Sequence, residues 1–327
     1  YYFITSIYIK INLCIQVAYE MNLIIRILYF IILLFDNLLK TANRKYLKQR
    51  IYQKLRDNYI QSVISNKKLI LFTPSIHTRI RAENINEHEP ETIEWIKKFN
   101  SDDIFLDIGA NVGTTTLPMA RAVGAAGQVF AFEPQPLVGH CLATSLVLNE
   151  ISNVRVLSLA VSQRAGVAKM NFNAGGDAGN FGSTALSLDG DLVPTIALDD
   201  LHVDRLALLK IDVEGHEWDV FQGAKNTIRN FLPVIYFEAK RMPGTVSSIE
   251  FLQRCNYRCY WDFAHFFRSD NFRGNSVDVF RGVGDMNVLA VPQGKPQPDD
   301  LPEINSAGED WREVYAEFFS ARGFVMP

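Results

Sequence analysis

The stretch "FLDIGANVGTTTLPMA" at residues 105–120 decides the reading of this chain. It opens as an apolar run that ends on Asp107, tightens into Gly109 and Gly113, and continues with helix-compatible residues. A strand, a glycine turn and a helix in that order form the first half of a βαβ unit. In open parallel sheets, ligands bind beyond the carboxyl ends of the strands, where the strand order reverses. The glycines clear side chains from this turn so that a ligand can lie close to the backbone. A dinucleotide fingerprint wants G-x-G-x-x-G, and here Asn111 stands at the second glycine. A side chain there obstructs diphosphate, and the Asp107 carboxylate suits a cationic partner instead. A nucleoside-bearing cation without phosphates, S-adenosylmethionine, fits both observations. On this reading Asp107, Gly109, Asn111 and Gly113 hold its amino-acid and sulfonium end. Glu133 ends the next strand, "VFAFEP", 26 residues after Asp107. That is close to the offset, about 20 residues, of an acid that binds ribose hydroxyls.

Outward from this unit the texture continues. "GQVFAFEP", "NVRVLSLAVS", "ALLKIDVEG" (207–215) and "PVIYFEAK" (233–240) read as strands. Helices alternate with them at "PLVGHCLATSLVLNE", "HEWDVFQGAKNTIRNF" and "SSIEFLQRCNY", and "RCYWDF" and "MNVLAVP" make two final strands. This alternation predicts a parallel sheet covered on both faces. Upstream, "KLILFTPSI" (68–76) predicts a strand and "EPETIEWIKKF" (89–99) a helix; residues 171–190, rich in Gly, Asn and Ser, predict a loop or irregular hairpin. "EDWREVYAEFFSARG" predicts a short amphipathic helix in an otherwise Pro- and acid-rich tail.

The second cluster of chemistry lies in "LLKIDVEGHEWDVFQGA" (208–224). Asp212 ends its strand at the same sheet edge as Asp107 and Glu133, and Glu214, Gly215, His216 and Glu217 follow. Glu238, ending "VIYFE", is expected next door. Methyl transfer to a hydroxyl needs an aligned nucleophile and a group to take its proton. Glu214 is the first candidate for that base, then Asp212, then His216. Asp212 has a second reading, as the residue that orients the cofactor's methyl end. Glu217 reads as a favourable charge on a first helical turn. Lys210 shares a face with Asp212 and has both a structural and a catalytic reading. Asp212, Glu214, Glu238 and His216 are also ligand types suited to a divalent cation, but metal is not the favoured reading and no metal ligand is assigned. The aromatic-rich "YWDFAHFFRSDNFR" (260–273) reads either as an acceptor pocket or as core.

The ordered set "FLDIGANVGTTTL", "VFAFEPQP", "TIALDDL", "LLKIDVEGHEWDVFQGA" and "VIYFEAK" resembles the FkbM-type methyltransferases over about residues 90–292. The resemblance implies an S-adenosylmethionine-dependent enzyme on the Rossmann-like class I fold. That fold is α/β, a seven-stranded mostly parallel sheet with helices on both faces. Five parallel strands and a last antiparallel one are expected, with the two final strands at one edge. The implied activity is O-methylation of a hydroxyl on a sugar, a glycan or a secondary metabolite. Two rivals stay open: a nicotinamide-dependent oxidoreductase on a doubly wound sheet, and a non-catalytic module that binds the cofactor.

Composition sets the frame. The 327 residues are 48% hydrophobic and 21% charged, with a net charge of −3. That balance leaves no electrostatic footprint for nucleic acid, so the expected partner is a small-molecule or glycan acceptor. Cys14, Cys141, Cys255 and Cys259 are too scattered for a disulfide framework, and Cys255-x-x-x-Cys259 lacks the second ligand pair of a zinc site. Reduced cysteines and a cytoplasmic location follow as expectations. Residues 1–68 form a hydrophobic, then basic, helical extension ahead of a domain at 69–292 and a polar tail at 293–327. The longest uncharged run, "ILYFIILLF" (27–35), is shorter than a membrane span. Residues 21–39 are a candidate membrane-surface or signal-anchor helix followed by the basic run 40–56, with a buried helix and a reading-frame artefact as the other readings. No small-residue cleavage site follows, and Met21 reads as a start.

Overall fold

A computed structural model describes residues 103–171, 190–239, 243–267, 276–278, 280 and 282–320, together with the two-residue strands at 63–64, 70–71 and 186–187. The expected membrane helix at 21–39, the helix at 89–99 and most of the loop at 171–190 lie outside the described residues. The first two strands, β1 (Val63–Ile64) and β2 (Ile70–Leu71), pair antiparallel.

The main sheet begins with β3 (Ile104–Ile108), buried at all five positions as a central strand covered on both faces must be. The glycine turn leads into α1 (Thr116–Ala122), which buries Leu117, Met119 and Ala120. Then follow β4 (Gln128–Phe132), α2 (Pro136–Leu148) and β5 (Val154–Leu157). Pro136 opens α2 at the first turn, where its missing N–H has no helical partner to lose.

The chain next leaves the main sheet. "NVRVLSLAVS", expected as one strand, breaks after Leu157 because Leu159 N–H donates back to Leu157 O at 2.9 Å, a tight turn. Beyond the turn β6 (Ala160–Val161), β7 (Gly166–Met170), β8 (Leu186–Ser187) and β9 (Asp191–Ile196) build a second sheet in the order β6-β9-β7-β8. Its strands are two to six residues long, too short for alternation to reveal them.

The main sheet resumes with β10 (Leu208–Ile211). The helix expected over "HEWDVFQGAKNTIRNF" is two helices, α3 (Glu217–Gln222) and α4 (Lys225–Phe231). Gly223 makes the break, since a Cβ there would lie 2.2 Å from Ser162 O. Asp199 of "TIALDD" holds it open: its N–H donates to Gly223 O at 2.8 Å. Its carboxylate accepts from Asn226 N, Thr227 N and Thr227 Oγ1, an N-cap for α4 supplied from a distant loop. After β11 (Val234–Glu238) and α5 (Pro243–Arg254) come β12 (Tyr257–His265) and β13 (Gly284–Pro292). The last helix is α6 (Trp311–Ser320).

The order across the seven strands is β12-β13-β11-β10-β3-β4-β5. Neighbours from β5 to β11 are parallel, and β13 runs antiparallel to both β11 and β12. This is the expected class I arrangement, with the chain's two final strands at one edge. Strand order reverses between β3 and β10, so the switch point lies where Gly109 and Asp212 leave the sheet. The tail continues the packing at the β12 edge. Trp261 N–H donates to Pro302 O and Ile304 N–H to Cys259 O, while Arg258 grips Glu303 through two nitrogens. Tyr260 and Trp261, candidates for an acceptor pocket, are buried in the core, and Phe263 stacks on Trp311 of α6.

Candidate active site

The glycine loop hangs from the end of β4. Gly109 N–H and Ala110 N–H both donate to Phe132 O at 3.0 Å, which folds the loop over that strand. Gly109 has φ +82° and no room for a side chain, because an added Cβ would lie 1.8 Å from the Asp212 carbonyl oxygen. Asn111 is also left-handed, at φ +50°. Its N–H donates to Glu133 Oε2 at 3.0 Å, and Gln135 N–H donates to Glu133 Oε1 at 2.8 Å. Glu133 is therefore fixed by the backbone on both oxygens, with lone pairs left for a ligand's hydroxyls. Burial raises its pKa to about 7, against the pull of those two N–H donors.

Asp107 and Gly113 sit differently from expectation. Asp107 is fully buried beneath the loop and does not line the cavity; it accepts from Thr116 Oγ1 at 2.6 Å and faces Lys210 Nζ at 3.7 Å. Burial holds its pKa up although Lys210 and Thr116 pull it down. Gly113 (φ +97°) also lies off the cavity; its left-handed backbone, and a Cβ that would press on Leu117 and Leu142, account for the glycine. Gly109, Asn111 and Glu133 do line the cavity.

The facing wall is the loop after β10. Asp212 N–H donates to Ile108 O at 2.9 Å, carrying the parallel pairing one residue past the strand end. Glu214 (φ +56°) and Gly215 (φ +98°) then turn left-handed in succession. Glu217 clasps this turn: its Oε1 accepts from Gly215 N at 3.0 Å and Val213 N at 3.3 Å. It was expected only as a charge at a helix start, and it is buried with a raised pKa because burial outweighs those bonds. Asp212, Glu214 and His216 line the cavity opposite Glu133. Glu238 does not, but Asp212, Glu214 and Glu238 each bring a carboxylate oxygen within 4.8 Å of the others. That trio has the donor types for a divalent cation, and Lys210 Nζ, 3.4 Å from Asp212, already brings a positive charge to it. His216 Nδ1 lies 3.0 Å from Asp219 Oδ2, an orienting contact that leaves Nε2 as its free ring nitrogen.

Leu159, Ala160, Val161 and Met170 complete the wall with apolar surface suited to a flat base. Sequence reasoning did not find them, because Leu159 lies in the turn before the second sheet and the other three in its strands, which carry no motif. The cavity thus joins an apolar face, a backbone-held carboxylate and an acidic end, a donor set that fits a cationic nucleoside without phosphates.

Comparison with known proteins agrees at the level of the domain. The family description "Methyltransferase FkbM domain" matches residues 107–259. This stretch is similar to an FkbM methyltransferase domain. It runs from Asp107 at the glycine loop to Cys259 in β12, and so contains Glu133, Asp212, Glu214 and Glu238. A hexuronic acid methyltransferase of Haloferax volcanii, AglP, is 28% identical over 140 residues, 41% of this chain and 55% of that protein. The chain therefore spans about half the length of that relative. Among solved structures, the methyltransferase FkbM from Methylobacillus flagellatus overlays with a TM-score of 0.41 at 17% identity, covering 59% of this chain and 44% of that one. An S-adenosylmethionine-dependent O-methyltransferase from Thermotoga maritima gives 0.39 at 14%, covering 67% and 71%. Among the described residues no helix is long and apolar enough to cross a membrane.

Proposed function

We propose that this chain is an S-adenosylmethionine-dependent methyltransferase acting on a hydroxyl of a sugar or glycan. The observation that carries the reading is that Glu133 and the acidic turn at Asp212 and Glu214 line one cavity at the switch point of a domain similar to the FkbM methyltransferases. S-adenosylmethionine, when bound, supplies a methyl group on a sulfonium and leaves as the neutral thioether. Glu133 would accept from its ribose hydroxyls, and Gly109 and Asn111 would border its amino-acid end. Asp107 and Lys210 act from below, holding the glycine loop and Asp212 in register.

Glu214 takes the proton of the acceptor hydroxyl as the oxygen gains the methyl group. Its left-handed backbone and the Glu217 clasp fix the main chain from which that carboxylate springs. Asp212 orients the acceptor, Glu238 adds a hydrogen-bond acceptor beside it, and His216 is the third candidate base. The name of the Haloferax volcanii relative supports a sugar as the acceptor class.

The test is binding followed by turnover. S-adenosylhomocysteine should raise the melting temperature with the logarithm of its concentration above its Kd, and NADH should not. Labelled S-adenosylmethionine should then label a pyranoside at oxygen. Stabilisation by NADH alone would put the nicotinamide reading in its place, and tight S-adenosylhomocysteine binding with no methylation of any hydroxyl would leave a binding module.

A further inference from the structure

Pairing across the antiparallel edge places Asn287 of β13 between two carboxylates: it pairs with Glu238 of β11 on one side and Asp262 of β12 on the other. Residues paired across strands point to one face, with Cβ atoms about 5 Å apart. Lys210 pairs in turn with Asp107 and Tyr236, and by alternation Asp212 and Glu238 lie on that same face. The reacting edge therefore continues as a polar row from Asp212 through Glu238 to Asn287 and Asp262.

Asn287 is the unusual member. It is 2% exposed, in a strand whose next four residues are Val288, Leu289, Ala290 and Val291. Asp262, equally buried, is satisfied in part by the Tyr236 hydroxyl at 2.8 Å. Asn287 makes a single long bond among the described residues, Nδ2 donating to Asp285 O at 3.4 Å, and no described donor reaches its Oδ1. A buried amide can make about four hydrogen bonds, so most of this one's capacity is unused by the described residues. Packing alone would favour an aliphatic residue here.

Resting on the methyltransferase reading, we infer that Asn287 is the specificity residue for the acceptor, binding a second hydroxyl next to the one that is methylated. The chemistry favours an amide for this task. Glu214, Asp212 and Glu238 can only accept when ionised, and each competes for the proton. A neutral amide both accepts and donates, so it can anchor a neighbouring hydroxyl without drawing off the proton. The flanking carboxylates repel an anion, so the subsite takes the polyol edge of a pyranoside and turns any carboxylate of a uronic acid away from it.

The experiment uses the full chain with methyl glucopyranoside, its monodeoxy series and methyl glucuronide as probes. It reads kcat and KM with labelled S-adenosylmethionine, and S-adenosylhomocysteine binding by calorimetry. Asn287→Leu keeps the volume and removes both polar atoms. It should raise KM for the parent pyranoside by about 10–100-fold with S-adenosylhomocysteine affinity unchanged. Against the one deoxy sugar that lacks the anchored hydroxyl, wild type and variant should be equal. Asn287→Asp, the second variant should Asn287→Leu not fold, should raise KM in the same pattern. A folded variant with wild-type KM, or an equal penalty on every deoxy sugar, overturns the inference while leaving the enzyme reading intact. A wild type that binds S-adenosylhomocysteine but methylates no pyranoside overturns it together with the sugar acceptor. A wild type that does not bind S-adenosylhomocysteine removes the methyltransferase reading itself.

Discussion

The two loops that face each other across the switch point use left-handed backbone for opposite ends. In the loop after β3, Gly109 turns left-handed without a side chain and Asn111 follows it, a residue type that takes this backbone more readily than most, and the main chain closes over β4. In the loop after β10, Glu214 takes the left-handed position itself, next to Gly215. A non-glycine residue held there costs about 1 kcal/mol or more. On the proposed mechanism one loop clears a surface for the cofactor, while the other accepts strain at the residue that would take the proton.

The sharpest way to break this comparison is at Glu214. Glu214→Gln keeps the size and the polar reach but cannot take a proton. It should lower kcat by about 10²–10⁴-fold with S-adenosylhomocysteine affinity unchanged. The loss should shrink at high pH, where the acceptor hydroxyl ionises more readily. Glu214→Gly should be as inactive, yet more stable than wild type by about 1 kcal/mol in urea unfolding, because glycine relieves the strain. If Glu214→Gln turns over normally and Asp212→Asn is dead, the base is Asp212. If Glu214→Gly is destabilised, the strain argument is wrong.

On the opposite loop the expected loss is in the fold. Gly109→Ala puts a methyl carbon 1.8 Å from a backbone oxygen that cannot swing away. It should cost about 4 kcal/mol, near the top of the range for single substitutions. Gly113→Ala meets the tips of Leu117 and Leu142, at 2.5 and 2.6 Å, which can turn, but it also holds alanine at φ +97°. About 1–3 kcal/mol is expected there. Equal losses from the two, measured by chemical denaturation, would show that the first loop has more room than its geometry indicates.

Much of this was legible beforehand, and the reasons are local. Asp107, Gly109, Glu133, Asp212 and Glu238 stand at or next to strand ends, and strands with long apolar runs announce their ends. Glu217 was read as a helix-start charge because nothing in sequence marks a side chain that reaches back two and four residues to clasp a turn. Asp107 was read as a ligand contact because a carboxylate after an apolar run looks the same whether it faces a cavity or a buried lysine. The second sheet was missed because strands such as Ala160–Val161 owe their pairing to distant partners such as Thr195 and Ile196. The break at Gly223 depends on Asp199, which lies 24 residues earlier (223 − 199) and touches it only in the fold.

Next in size is a pH effect at Glu133. Its carboxyl titrates near 7 in the fold and near 4.5 when unfolded, because burial disfavours the charge. Between those values the folded chain holds the extra proton, so stability falls as pH rises from 4.5 to about 7 and is level above it. The whole window is worth about 3 kcal/mol in the cofactor-free protein. Glu133→Gln should flatten that slope in urea titrations at pH 5, 6, 7 and 8. Ribose hydroxyls favour the ionised form, so wild-type affinity for S-adenosylhomocysteine should improve as pH rises from 6 to 8, and the variant's should not. A variant whose unfolding keeps the wild-type slope would move the effect to another buried acid, Asp107 first.

The smallest effect separates support from chemistry within the acidic loop. Glu217 holds Gly215 N–H and Val213 N–H on one carboxylate oxygen, beneath the turn that aims Glu214. Glu217→Gln keeps a carbonyl oxygen in that place and removes the buried charge, whose pKa the surroundings already push up. The two backbone N–H groups of the turn need an acceptor oxygen, which the amide also supplies. Stability should change by no more than about 1 kcal/mol, in either direction. Glu217→Ala orphans two backbone donors and should cost about 1–3 kcal/mol. If Glu217 only holds the turn, kcat should fall in Glu217→Ala, where Glu214 loses its direction, and stay near wild type in Glu217→Gln. A large loss of kcat in Glu217→Gln with its stability intact would mean that the Glu217 carboxylate handles the proton itself. The division between an aiming residue and a reacting one would then run the other way, from Glu214 to Glu217.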